Sequence, residues 1–313
     1  MIENQKFKFS GHETFPFRYA WLPKAYLALK ADSKIFADIE NAMVAMGVGK
    51  NMVRAIQFWV QASGIAEAAP NGGGYAITDF GNALLSDDGF DPFLEDIRTL
   101  WLIHWQLASN VDEPLFAWNY LLNQWRYPEL TRSQILPVFA KEAERLGRKL
   151  SPVTLEQHFD TFIHTYVPTQ STKGDIREDN LDSPLVELEL IQKVGERKTD
   201  KTGKRESIYA FRREEKHDIS PELFVYCLLD FWDKSRPNEK TLNYSDVCNA
   251  HSSPGQLFKL PELIVRERLE SIEIDSKGIL TYQESAAFHQ IVRNDLEKKD
   301  FLAEVYKMEG IHA

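Results

Sequence analysis

A mainly α fold with small β-hairpins, an α+β architecture, is what the sequence predicts, and three observations carry that reading. Apolar residues recur at helical spacing through most of the chain. Strand-like alternation is confined to short runs beside Gly-rich or charged turns. With 313 residues and 43% hydrophobic side chains, the chain is long enough for about two or three cores. Pro, Asn and charged residues interrupt the periodicity near Pro128 to Arg132 and near Ser235 to Lys240, which predicts segments at 1–130, 131–235 and 236–313.

Residues 35 to 85 are the most readable. Ile39, Ala42, Met43 and Met46 follow helical spacing, Gly47-Val48-Gly49 breaks the helix, and a second helix starts at Lys50 and runs to about Ser63. On that second helix Val53, Ile56 and Val60 form an apolar stripe, and Lys50, Arg54, Gln57 and Gln61 a polar one. Asn71-Gly72-Gly73-Gly74 supplies turn residues for a hairpin, Tyr75 to Thr78 alternates as a strand, and Asp79 opens another helix. This order, with Thr78, Gly81 and Leu84 as a T-x-x-G-x-x-L ending, resembles the winged helix-turn-helix superfamily, so tandem winged-helix-like modules are expected.

An exposed helix fits the DNA major groove, where Arg reads guanine and Asn or Gln reads adenine. Lys50, Asn51, Arg54 and Gln57 are the right chemical types for duplex DNA, although the hairpin tip carries no cation of its own. A solvated face and a protein-docking face are the competing readings of that stripe. The formal net charge of −10 excludes binding to nucleic acid by bulk electrostatics, so any contact is local. The first thirty residues are locally basic, with Lys6, Lys8, Arg18, Lys24 and Lys30 against Glu3 and Glu13. Arg18 and Lys24 can share one helix side facing phosphate, with the Thr14 hydroxyl as cap, or Arg18 can pair with a carboxylate.

Further along, Trp101 and Trp105 lie four apart on one helix face and are expected in the core. Helical patterns follow at Ile135 to Leu146 and Thr154 to Tyr166, then a polar insertion from Pro168 to Asn180. Two strand-like runs, Leu190 to Val194 and Ser207 to Phe211, flank a loop with Arg197, Lys198, Lys201, Lys204 and Arg205, either a phosphate-contacting tip or a solvated turn. Near the end, Ser252 or Ser253 can cap a helix with Pro254 at its first position, and with Gly255 this helix start is a candidate anion site.

Three strings, FSGHETFPFRYAWLPKAY at Phe9 to Tyr26, LDSPLVELELI at Leu181 to Ile191 and SSPGQLFKL at Ser252 to Leu260, together resemble a bacterial and archaeal family catalogued as domain of unknown function 4007. The resemblance spans essentially the whole chain. It implies a setting in phage-defence islands, often beside DNA phosphorothioation genes, with a sulfurtransferase-like protein or other products of such loci as partners. The family pattern has a Cys before the Pro of the middle string, where this chain has Ser183, so a sulfur role resting on that Cys is not implied here.

No catalytic constellation is found. The eight His are scattered, H-E-x-x-H, paired Cys ligands, a P-loop and a dinucleotide fingerprint are missing, and no cofactor or metal is expected. Glu187, Glu189 and Lys193 permit a metal-dependent nuclease on paper. The two Cys are expected to be reduced thiols; MIENQKFKFSGHE lacks the apolar core of a signal peptide, and no apolar run would span a bilayer. The expectation is a cytoplasmic, non-catalytic DNA-binding or adaptor subunit, with a protein scaffold and a nuclease as alternatives.

Overall fold

The computed structural model describes residues 6–70, 72–169, 183–199, 203–286, 288–294 and 300–307. Asn71, Lys201, the first two residues of the middle string and most of the polar insertion lie outside the described residues. The fold is α+β, with small antiparallel sheets among helices. Among the described residues no helix is long and apolar enough to cross a membrane.

The chain divides into two compact units, Met1–Arg212 and Arg213–Ala313. The first opens with α1 (Trp21–Ala31), α2 (Ile39–Met46) and α3 (Lys50–Ala62), followed by the hairpin β1 (Ala66–Ala68) and β2 (Tyr75–Ile77), then α4 (Asp79–Leu85) and α5 (Ile97–Ser109). It continues through α6 (Phe116–Asn123), β3 (Glu129–Leu130), α7 (Arg132–Arg145), α8 (Pro152–Tyr166), a 3₁₀ turn at Pro184–Leu188, β4 (Ile191–Lys198) and β5 (Arg205–Phe211). The second unit contains α9 (Pro221–Ser235), β6 (Thr241–Asn243), α10 (Tyr244–Asn249), α11 (Pro254–Leu257), α12 (Glu262–Glu270), α13 (Ile272–Asp275), β7 (Leu280–Glu284), β8 (His289–Arg293) and α14 (Phe301–Val305).

One topology recurs three times among these elements: a helix, a strand, further helices (two in the first and second copies, four short ones in the third), and a hairpin whose second strand returns to pair with the first strand. In the second copy the sheet order is β3-β5-β4, and in the third β6-β8-β7. In the first, the opening strand is reduced to Ser33, whose carbonyl accepts the Tyr75 N–H at 2.8 Å beside the β1-β2 hairpin. The expected divisions at 130 and 235 therefore fall inside copies. Glu129 pairs with Ala210 across β3 and β5, which fastens residues on both sides of 130 into one sheet. Likewise α9, whose last residue is Ser235, packs on α11, α13 and α14.

The core of the first unit is aromatic. Trp59, Trp101, Trp105, Trp118, Phe139, Phe159, Phe162 and Tyr166 are all essentially inaccessible, as expected for the tryptophan-rich stretch. Truncating any of these rings to Ala removes about 3–5 kcal/mol of burial and packing. A buried polar chain of three side chains fits among them because its members satisfy one another: Trp118 Nε1 donates to Tyr166 Oη (2.9 Å), which leaves the Tyr166 hydroxyl proton for His104 Nδ1 (2.8 Å).

Candidate nucleic-acid interface

The helix α3 begins where Gly47, in the left-handed conformation (φ 63°), closes α2 and extended Gly49 turns the chain. Val53, Ala55, Ile56, Phe58, Trp59, Val60 and Ala62 bury one side of α3, and Lys50, Asn51 and Arg54 are exposed on the other. No hydrogen bond or ion pair holds the Lys50, Asn51 or Arg54 side chain among the described residues. Gln57 differs: its amide donates to Tyr75 Oη at 2.6 Å, so it ties α3 to the hairpin, and reading a base would require breaking that bond.

Behind α3 lies the string from Phe9 to Tyr26. Trp59 Nε1 donates to the Phe15 carbonyl (3.1 Å), and His12 stands edge-on to Phe58. Buried His12 Nε2 lies 3.1 Å from His158 Nδ1. The Ala117 N–H can only donate, and it points at His158 Nε2 (3.0 Å), so His158 carries its proton on Nδ1 and donates to His12. The His12 proton then sits on Nδ1, facing Thr161 Oγ1 at 3.2 Å. Two neutral rings cannot accept from the backbone at both ends, and the Thr14 N–H, 3.1 Å from His12 Nδ1 at the more exposed end, is the donor that gives way. Burial holds His12 down to about 4, and burial, with the repulsion two adjacent imidazoliums would feel, holds His158 well below the ordinary imidazole range.

The hairpin is locked at its base. Thr78 Oγ1 donates to the Gly64 carbonyl (2.6 Å) and accepts the Gly81 N–H (2.9 Å), and Leu84 is buried. A Cβ at Gly81 would lie 2.3 Å from the Ile65 carbonyl oxygen, so the T-x-x-G-x-x-L ending is a packing device. Sequence reasoning missed Lys34. Its stem runs beside Gly73, and it lines a shallow groove with Gln57, Tyr75 and Gly72–Gly74. The hairpin thus gains from a neighbouring turn the cation its own tip lacks. No sequence pattern pairs residue 34 with the tip; the Ser33–Tyr75 backbone bond does.

The remaining candidates fall elsewhere. Arg18 lies over the rings of Phe15 (5.5 Å) and Trp21 (5.4 Å), and Lys24 Nζ donates to the Met46 carbonyl at 3.1 Å, closing the end of α2. Thr14 does not cap α1, which starts seven residues later at Trp21, because Glu13 and Thr14 form a left-handed turn. Arg197 is committed to Glu206 (3.0 Å), Glu129 (3.4 Å) and Thr131 (2.8 Å). Lys198, Lys204 and Arg205 are exposed, with Arg205 in the field of Glu196. Ser252 and Ser253 are buried, Ser253 caps α11 through the Gln256 N–H (3.3 Å), and a Cβ at Gly255 would lie 2.6 Å from the Cys248 carbonyl oxygen. That four-residue helix is seated on α10, so the candidate anion site at its start is buried against a neighbouring helix. Ser183 is likewise a buried cap, accepting the Leu185 N–H at 3.3 Å. Glu187 accepts from Tyr19, Glu189 pairs with Arg212, and Lys193 pairs with Glu196 (2.6 Å), so the three nuclease candidates are engaged separately. No group of three or more His, Cys, Asp or Glu poised for a metal ion occurs among the described residues.

The helices equivalent to α3 carry different chemistry. On α8, Glu156 and Asp160 hold Arg132 from the start of α7 (2.7 Å each). On α12, Arg266 is divided between Glu270 (3.0 Å) and Glu284 (2.9 Å), and Arg268 turns inward to the carbonyls of Ile219 (2.8 Å) and Lys216 (3.0 Å).

These features define an α+β protein of repeated helical and hairpin units in which, among the described residues, α3 presents cations held by no partner. The chain belongs to the family described as protein of unknown function (DUF4007), whose pattern matches residues 9–306. No curated protein matches it by sequence. Among solved structures it is similar to magnesium ion-bound SspB, with 25% identity and a TM-score of 0.80 over 92% of this chain and 84% of that one. A second SspB crystal structure matches at 24% identity with the same TM-score and coverage.

Proposed function

We propose that this protein is a DNA-engaging subunit of a bacterial DNA modification and phage-defence system, that its three repeated units are winged-helix modules, and that α3 is the element that meets duplex DNA. The observation that carries the reading is the exposure of Lys50, Asn51 and Arg54 on α3 without partners among the described residues, with Lys34 beside the hairpin. Lysine and arginine in that setting neutralise phosphate, and Asn51 and Arg54 are suited to base edges in the major groove. The membership in DUF4007 and the likeness to SspB support a phosphorothioation setting, with a sulfurtransferase-like or other locus protein as partner. The subunit is assigned an adaptor role without chemistry of its own.

A second reading, a metal-dependent nuclease, is favoured by one observation: the similar SspB structure binds magnesium ion. One experiment separates the two. Anisotropy of a labelled duplex with the full chain is measured across a salt series, and supercoiled plasmid is incubated with the chain and Mg²⁺ or Mn²⁺. Binding that weakens with salt, without nicking, is the expected result. Metal-dependent nicking would replace the adaptor by the nuclease. Failure to bind at low salt would leave a protein scaffold.

A further inference from the structure

The second unit carries a surface of opposite character. Leu263, Glu267, Glu270 and Ile274 recur at spacings of four, three and four, and the break between α12 and α13 at Ser271 keeps near-helical backbone (φ −94°, ψ −4°). The four residues thus share one stripe. Leu263 is 64% exposed and Ile274 83% exposed, and Glu267 and Glu270 are exposed between them. Two exposed aliphatic side chains on one helical face with carboxylates between them give that face an amphipathic, acidic character.

The sign here is negative. Glu267 and Glu273 form no ion pair among the described residues. The cations nearby are consumed internally: Arg266 by Glu270 and Glu284, Arg268 by two backbone carbonyls under the Phe224 ring, and Lys277 by Glu304. A phosphate backbone meeting this face would encounter carboxylates and, among the described residues, no uncommitted cation. We infer that the Leu263–Ile274 stripe is a docking surface for a protein segment that presents aliphatic side chains flanked by Lys or Arg, an amphipathic basic helix being the simplest form. Leu263 and Ile274 supply an aliphatic anchor at each end of the stripe, and Glu267 and Glu273 supply electrostatic complementarity and selection against acidic partners. This inference is independent of DNA binding by α3.

The test uses the full chain and a labelled synthetic Lys/Leu amphipathic helical peptide, beside a Glu/Leu peptide with identical apolar positions. Anisotropy is read for the parent, Leu263→Asp, Ile274→Asp and Glu267→Lys, with melting temperature checking each fold. The parent binds the Lys/Leu peptide and not the Glu/Leu peptide. Each aspartate variant weakens binding by about tenfold or more, and Glu267→Lys weakens it by about threefold and flattens its salt dependence. Lys50→Glu with Arg54→Glu, which targets α3, leaves peptide binding unchanged. Equal binding of both peptides, or folded aspartate variants that bind within about twofold of the parent, overturns the inference.

Discussion

The helices α3 and α12 occupy the same place in two copies of one topology and have opposite surfaces. On α3 the exposed cations have no partner among the described residues; on α12 Arg266 and Arg268 are held by the protein itself, and Leu263 and Glu267 face solvent. Topology therefore fixes where a helix stands, while the internal satisfaction of its charges decides what that helix can meet. The formal charge of α12 alone would not reveal this, because its two arginines look as available in the sequence as Arg54 does.

The largest expected effects come from the glycines that seat the two modules. Gly81→Ala drives a Cβ into the Ile65 carbonyl and Gly255→Ala drives one into the Cys248 carbonyl. Each should cost about 2–4 kcal/mol and lower the melting temperature, as overpacking against backbone does. If Gly255→Ala kept full stability but lost affinity for inorganic phosphate, the buried start of α11 would be an anion site after all.

Next comes the packing behind α3. His12 has its folded value at about 4, below the 6.5 of the unfolded chain. Between these values the unfolded chain binds more protons, so the stabilisation is complete above about pH 6.5 and is lost as pH falls toward 4. For His12 the shift corresponds to roughly 3 kcal/mol. Stability measured by urea titration at pH 7 and pH 5 should drop more for the parent than for His12→Gln. Equal drops would mean the buried pair is not what senses acid. A smaller change, about 1 kcal/mol, is expected from Tyr75→Phe, which releases Gln57. If the freed amide reaches a base, this variant should shift sequence preference in competition assays with its salt slope intact. An unchanged preference would confine Gln57 to tying down the hairpin.

How much of this was legible in the sequence follows from the range of the interactions involved. The elements around Gly47-Val48-Gly49, the helix start at Asp79 and the α3 apolar stripe were readable because turns, helix starts and periodicity are local. The segment boundaries were not, since β3 is two residues long and is defined by a partner strand about eighty positions away in sequence. The candidate site, as a cluster of exposed side chains, was half legible. Residue types placed Lys50, Asn51 and Arg54, but nothing local shows that Arg197 is shared among Glu129, Thr131 and Glu206, that Lys24 closes α2, or that Lys34 runs beside Gly73. The Ser253 cap of the SSPGQ string was readable because it is local, whereas the burial of Ser252, Ser253 and Gly255 against α10 was not.

The central claim is that uncommitted cations on α3, and not the committed ones on α12, engage DNA. The direct measurement is the salt dependence of duplex binding for the parent, for Lys50→Glu with Arg54→Glu, and for Arg266→Gln, each verified as folded by circular dichroism. The account predicts that the α3 double variant binds more weakly and loses about two units of the log–log salt slope, while Arg266→Gln retains the parent's affinity and slope. A folded double variant that binds with parental affinity and slope, or an Arg266→Gln variant that loses both, would contradict it.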